Sequence, residues 1–89
     1  MVKHLDIYGS VQGVGFRYHF SAQARSLGVT GWVRNRRSGC VEAMIEGAPE
    51  ALDALIAWAR VGPAAAQVER VDVSTAEGQF TSFELWPTQ

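Results

Sequence analysis

Cysteine, long apolar runs and a strong net charge of either sign are what this chain has least of. Its one cysteine, Cys40, cannot form an internal disulfide, so the chain is not one of the small secreted scaffolds stapled by several. No apolar run approaches the length of a membrane span, and the opening stretch MVKHLDIYG has no apolar h-region; the expectation is a soluble, cytoplasmic protein. A net charge of −1 argues against general nucleic-acid binding. There is no repeat, linker or low-complexity tract, so residues 1–89 are expected to form one domain with a modest core, with a monomer as the default for that size.

The near-zero charge conceals an asymmetry. Residues 1–40 hold Lys3, Arg17, Arg25, Arg34, Arg36 and Arg37 against Asp6 alone, whereas residues 41–89 hold Arg60 and Arg70 against eight carboxylates. Two solvated faces of opposite sign would account for this; so would a local anion site in the first half.

Periodicity supplies the elements. Val2 to Tyr8 alternates around Leu5 and Ile7, with His4, Asp6 and Tyr8 on the other face, as in a half-buried strand. Phe16, Phe20, Ala24 and Leu27 make a helical stripe that Gly28 ends. Val29–Arg36 and Cys40–Glu46 read as a hairpin about Arg37-Ser38-Gly39. A second helix opens at Pro49, carries Leu52, Leu55, Ile56 and Ala59, and stops at Gly62-Pro63. Strands around Val71–Thr75 and Phe83–Leu85 follow. The order is βαββαβ with a short extra strand, the ferredoxin-like split β-α-β sandwich of the α+β class, with two helices on one face of an antiparallel sheet. A helical crossover makes the first two strands parallel, so the segment after strand one and the end of strand two, Arg34-Asn35-Arg36, are expected to meet.

The segment after strand one is "GSVQGVGFR", Gly9 to Arg17. It is not a P-loop, which needs Gly-Lys-Ser/Thr, nor a dinucleotide fingerprint, whose third glycine is replaced by Tyr18. "GVGFRYHF" has an RNP1-like look, but it follows the first strand and enters a helix, and Val14 stands where that motif has an aromatic. The turn either is structural, with Arg17 on the surface, or forms an anion nest of backbone N–H groups at a helix start, with Arg17 as a planar fork for phosphate oxygens. Asn35 is either a turn residue or, on the Val33 side of its strand, an amide able to orient a water.

Other chemistry finds little support. Cys40 lacks the arginine spacing of cysteine phosphatases, Glu46 standing in that place, and no pair of alternate aspartates suggests an aspartyl-phosphate enzyme. His4 and His19 are isolated histidines that make no metal cluster, and Trp32, Trp58 and Trp86 read as packing residues. A site with cationic grip, donors and an amide, but no general acid, suits a leaving group that needs no proton. A carboxylate, with a conjugate acid near pKa ~4, is one. Phosphoryl transfer can proceed by positioning and electrostatics alone, so an acyl phosphate is a fitting substrate.

"VQGVGFR" (11–17), "GWVRN" (31–35) and "GCVEAMIEG" (39–47), with "GP" before the fourth strand and "FTSFEL" near the end, together resemble the acylphosphatase family. The resemblance implies a hydrolase of small acyl phosphates with no metal or cofactor. It implies that Arg17 binds the phosphoryl group and that Asn35 holds the attacking water. The backbone of Val11, Gln12, Gly13, Val14, Gly15 and Phe16 would form the cradle, a place that phosphate or sulfate can also occupy. Ser10 and Phe20-Ser21 depart from residues frequent in the family, away from the two catalytic positions. Two rivals differ in class: a non-catalytic anion-binding module, and a nucleic-acid binder using Arg34, Arg36 and Arg37, whose affinity would fall steeply with salt.

Overall fold

The alternation at Leu5 and Ile7 becomes a strand, β1 (Val2–Ser10), with both side chains fully buried. The structure is a computed structural model describing residues 1–89. After the glycine turn come helix α1 (Phe16–Ser26), strands β2 (Thr30–Asn35) and β3 (Val41–Glu46), helix α2 (Pro49–Val61), strand β4 (Gln67–Thr75) and strand β5 (Phe83–Leu85). Pro49 sits in the first turn of α2, where its missing N–H costs nothing, and Gly62 ends that helix at a positive φ. The expected helical stripes are the buried faces: Phe16, Phe20 and Ala24 on α1, and Leu52, Leu55, Ile56 and Ala59 on α2.

The sheet order is β4-β1-β3-β2-β5. β1 and β2 both pair antiparallel with β3, so they run parallel to each other, as the crossover requires. β5 pairs parallel with β2, which makes the sheet mixed rather than purely antiparallel. β4 begins at Gln67, ahead of the expected Val71, because Gln67, Val68 and Arg70 pair with β1 at the sheet edge without an alternating apolar pattern. β1 also runs past Tyr8 to Ser10, with an irregularity in its register to β4 between Tyr8 and Gly9.

Helices and sheet enclose one apolar core that includes Leu5, Ile7, Val33, Ala43 and Ile45. An aromatic group locks α1 to its neighbours: Phe16 lies 5.4 Å from Trp58 of α2, and Phe20 lies 5.8 Å from Phe83 of β5. Arg25 reinforces the last contact by donating from Nη2 to the Phe83 carbonyl at 3.0 Å. Phe16 is thus both the first residue of α1 and a core anchor, which fixes where the glycine turn ends.

Candidate active site

Gly13 and Gly15 have φ of 74° and 76°, in the left-handed region that a side chain rarely adopts. Their conformation folds Val11–Phe16 into a tight turn, and Gly15 is the N-cap of α1 without any side-chain cap. None of the backbone N–H groups from Val11 to Tyr18 donates to a backbone carbonyl. Eight successive donors at the positive end of a helix therefore have no backbone acceptor within the chain.

The alternating turn splits its residues. Val11, Gly13 and Gly15 line a cavity of about 530 Å³, together with Arg17, Tyr18, Asn35, Leu85, Trp86 and Pro87. Gln12, Val14 and Phe16 do not line it. Val14 packs against the core and Phe16 is buried in it. Gln12 donates from Nε2 to the Arg36 carbonyl at 2.6 Å and to the Cys40 carbonyl at 2.9 Å, tying the turn to the connection between β2 and β3. That side-chain role was not legible in the sequence, where Gln12 counts only through its backbone.

Arg17 and Asn35, distant in the chain, reach the same cavity, as the parallel run of β1 and β2 requires. Val33 is fully buried and Asn35 lies two residues on, so alternation turns Asn35 to the helix side, beside the turn. Its carboxamide forms no hydrogen bond with another residue. Arg17 is the only charged residue in the lining. Its Nη1 donates to the Trp86 carbonyl at 2.7 Å, which orients the guanidinium while leaving its other N–H groups available.

Four lining residues, Tyr18, Leu85, Trp86 and Pro87, were not anticipated as site residues. Three belong to the C-terminal segment, which continues the course of β5 along β2. The Trp86 N–H donates to the Val33 carbonyl at 2.9 Å and the Gln89 N–H to the Asn35 carbonyl at 3.0 Å. Gln89 in turn accepts the Arg37 N–H at 3.1 Å. Trp86 lays its ring on Trp32 with centroids 4.3 Å apart, so both are packing residues as expected, while the Trp86 carbonyl serves the site.

Two other cations of the basic half, Arg34 and Arg36, are paired elsewhere. On the open face of the sheet, Glu42 accepts from Arg34 Nε at 2.7 Å and Arg36 Nη1 at 3.2 Å, and meets His4 Nε2 at 2.7 Å. Burial alone would raise the Glu42 pKa, but the hydrogen bonds and charges of His4 and Arg34 outweigh it and hold it below its ordinary value. The pairing of β1 with β3 also brings His4, Asp6 and Glu42 together, a cluster invisible while His4 is taken as isolated. Two guanidinium groups already neutralise Glu42, so these residues form an ion-pair network. Arg34 and Arg36 are thereby paired with a carboxylate, while the Arg37 side chain makes no such contact.

Comparison with known proteins gives a consistent result. The family model described as acylphosphatase matches residues 3–85. The chain is 61% identical to an acylphosphatase of Thermococcus kodakarensis over 74 residues, which is 83% of this chain and 81% of the relative. It is 56% identical to an acylphosphatase of Thiobacillus denitrificans over 81 residues, 91% of each. The crystal structure of acylphosphatase from Bacillus subtilis superposes with a TM-score of 0.90 at 31% identity, covering 97% of this chain and 99% of that one.

Proposed function

The chain belongs to the acylphosphatase family and hydrolyses acyl phosphates, and on that premise we propose how its own residues carry the reaction. The glycine turn holds the phosphoryl oxygens through the free N–H groups of residues 11–16, and Arg17 closes the ring with its guanidinium. Asn35 holds a water in line with the phosphorus–oxygen bond to be broken. What supports this assignment is that Arg17 and Asn35 come from different elements and line one cavity with Gly13 and Gly15.

The chemistry follows from the donor set. As the water oxygen bonds to phosphorus, the bond from phosphorus to the acyl oxygen breaks and its electron pair leaves with the carboxylate. The carboxylate needs no proton, because its conjugate acid has a pKa near ~4 to 5. The proton from water passes to a phosphoryl oxygen of the substrate, so no side-chain base is required. Charge spreads over the equatorial oxygens in the transition state, where fixed N–H donors and the oriented guanidinium hold it without reorganising. Asn35 cannot take a proton; its contribution is orientation.

The same proposal treats residues 1–89 as one cytoplasmic, monomeric unit and takes inorganic phosphate or sulfate as ions for its cradle. The single buried thiol of Cys40 fits a reducing compartment.

Hydrolysis of benzoyl phosphate in water labelled with heavy oxygen tests this path. Attack at phosphorus delivers the label to inorganic phosphate. Label in benzoate would mean attack at the acyl carbon and would overturn the roles given to Arg17 and Asn35. A chain that binds phosphate and releases no product would be the anion-binding module instead.

A further inference from the structure

The cavity has several times the volume of a phosphoryl group, and its lining residues are of two chemical kinds. Val11, Gly13, Gly15, Arg17 and Asn35 bring the turn's backbone, a guanidinium and a carboxamide. The rest of the lining is Tyr18, Leu85, Trp86 and Pro87. We propose that Tyr18, Leu85 and Pro87 form an acyl-chain subsite that makes the enzyme selective for acyl phosphates with an extended apolar acyl group over acetyl phosphate. The proposal rests on the reading of Arg17 and Asn35 as the phosphoryl end.

Two observations carry it. Tyr18 is 69% exposed and Leu85 41% exposed, and they are two of only five large hydrophobic residues left open to solvent on the whole chain. Both border the same cavity. Exposed apolar surface gathered beside a polar site is the ordinary mark of a ligand wall. The wall is also held in place. Phe83 is buried, and alternation puts Leu85 and then Pro87 on that same side, so the core's apolar face continues out to the cavity rim. The Trp86 N–H bond to Val33 fixes this register. No carboxylate, lysine or second arginine lies along the wall to greet a polar or charged acyl group. A substrate whose phosphoryl group sits at Arg17 therefore has its acyl end directed along an apolar surface.

The test is kcat/KM for acetyl, butanoyl and hexanoyl phosphate, whose carboxylate leaving groups are almost equally basic, so that differences report on acyl contact. For the wild type a rise of about tenfold from acetyl to hexanoyl is expected, carried by KM; that is about 1.4 kcal/mol. The four extra methylenes would supply more if fully buried, at about 0.8 kcal/mol each, and less on an open rim. Tyr18→Ala combined with Leu85→Thr should flatten the series to within about twofold while inorganic phosphate still inhibits as in the wild type. Tyr18→Ala alone, at an exposed helical position, should flatten it partly even if the double variant folds poorly. Val61→Ala, another exposed apolar residue outside the cavity, is the control and should keep the full slope. A flat wild-type series with active enzyme would overturn the subsite and leave the phosphoryl reading standing. A slope surviving in both variants, or lost equally in Val61→Ala, would overturn the subsite too. Absence of turnover with all three substrates would instead overturn the phosphoryl reading beneath it.

Discussion

Replacing Gln12 by leucine removes two hydrogen bonds, to the Arg36 carbonyl at 2.6 Å and the Cys40 carbonyl at 2.9 Å, and with them the only side-chain tie between the glycine turn and the end of β2. Neither carbonyl is orphaned by the change. The Cys40 carbonyl keeps the Arg36 N–H at 2.8 Å, and the Arg36 carbonyl keeps the Gly39 N–H at 3.0 Å. The loss is therefore close to the net value of two ordinary hydrogen bonds, about 2 kcal/mol, and not the larger cost of burying unpaired polar atoms. For a domain of this size that lowers Tm by roughly 8–16 °C. The urea midpoint should fall with an unchanged m-value, since the surface exposed on unfolding is the same. Turnover should suffer more than stability alone implies. A turn that shifts by about 1 Å relative to Asn35 misplaces phosphoryl group and water together, and such shifts cost up to about a hundredfold. Benzoyl phosphate kinetics on the folded variant should show kcat lowered by more than about tenfold. A Gln12→Leu protein with wild-type midpoint and wild-type kcat would refute the view that this side chain aligns the turn with Asn35.

Other consequences are equally direct. The Ser21 hydroxyl is buried without a hydrogen-bond partner, so Ser21→Ala should stabilise by about 1 kcal/mol in urea unfolding; a destabilised variant would contradict that. Gly13→Ala meets no atom within 4 Å, so its cost is the left-handed φ alone, about 1–2 kcal/mol, and a neutral variant would mean that the turn relaxes. The Glu42 pKa is lower in the folded chain than its ordinary 4.5, so its contribution is fully present above that value and lost as pH falls through the lower folded value. Glu42→Gln should weaken the chain by about 2 kcal/mol at pH 7 and shrink the acid sensitivity of its urea midpoint; equal pH slopes in the two proteins would speak against the network.

What the sequence made legible follows from strong local patterns. Leu5 and Ile7, the Phe16–Phe20–Ala24 stripe and the Leu52–Ala59 stripe each repeat with one period, and each became a buried face. The meeting of the glycine turn with Asn35 was legible too, because a helical β-α-β crossover leaves the two strands parallel. The C-terminal wall was not. Leu85, Trp86 and Pro87 reach the cavity only because β5 adds parallel to β2, and a three-residue strand carries no sign of its partner. The Gln12 bridge and the His4–Asp6–Glu42 cluster were hidden for a related reason. Each depends on registers between strands far apart in the chain, and polar residues there look like ordinary solvated positions until the pairing is known.

Turnover of benzoyl phosphate by Asn35→Ala at saturating substrate tests the central claim most directly. If Asn35 orients the water while Arg17 and the turn hold the phosphoryl group, kcat falls by at least about a hundredfold and inorganic phosphate inhibits as it does in the wild type. A folded Asn35→Ala enzyme whose kcat stays within a few-fold of the wild type would contradict the account.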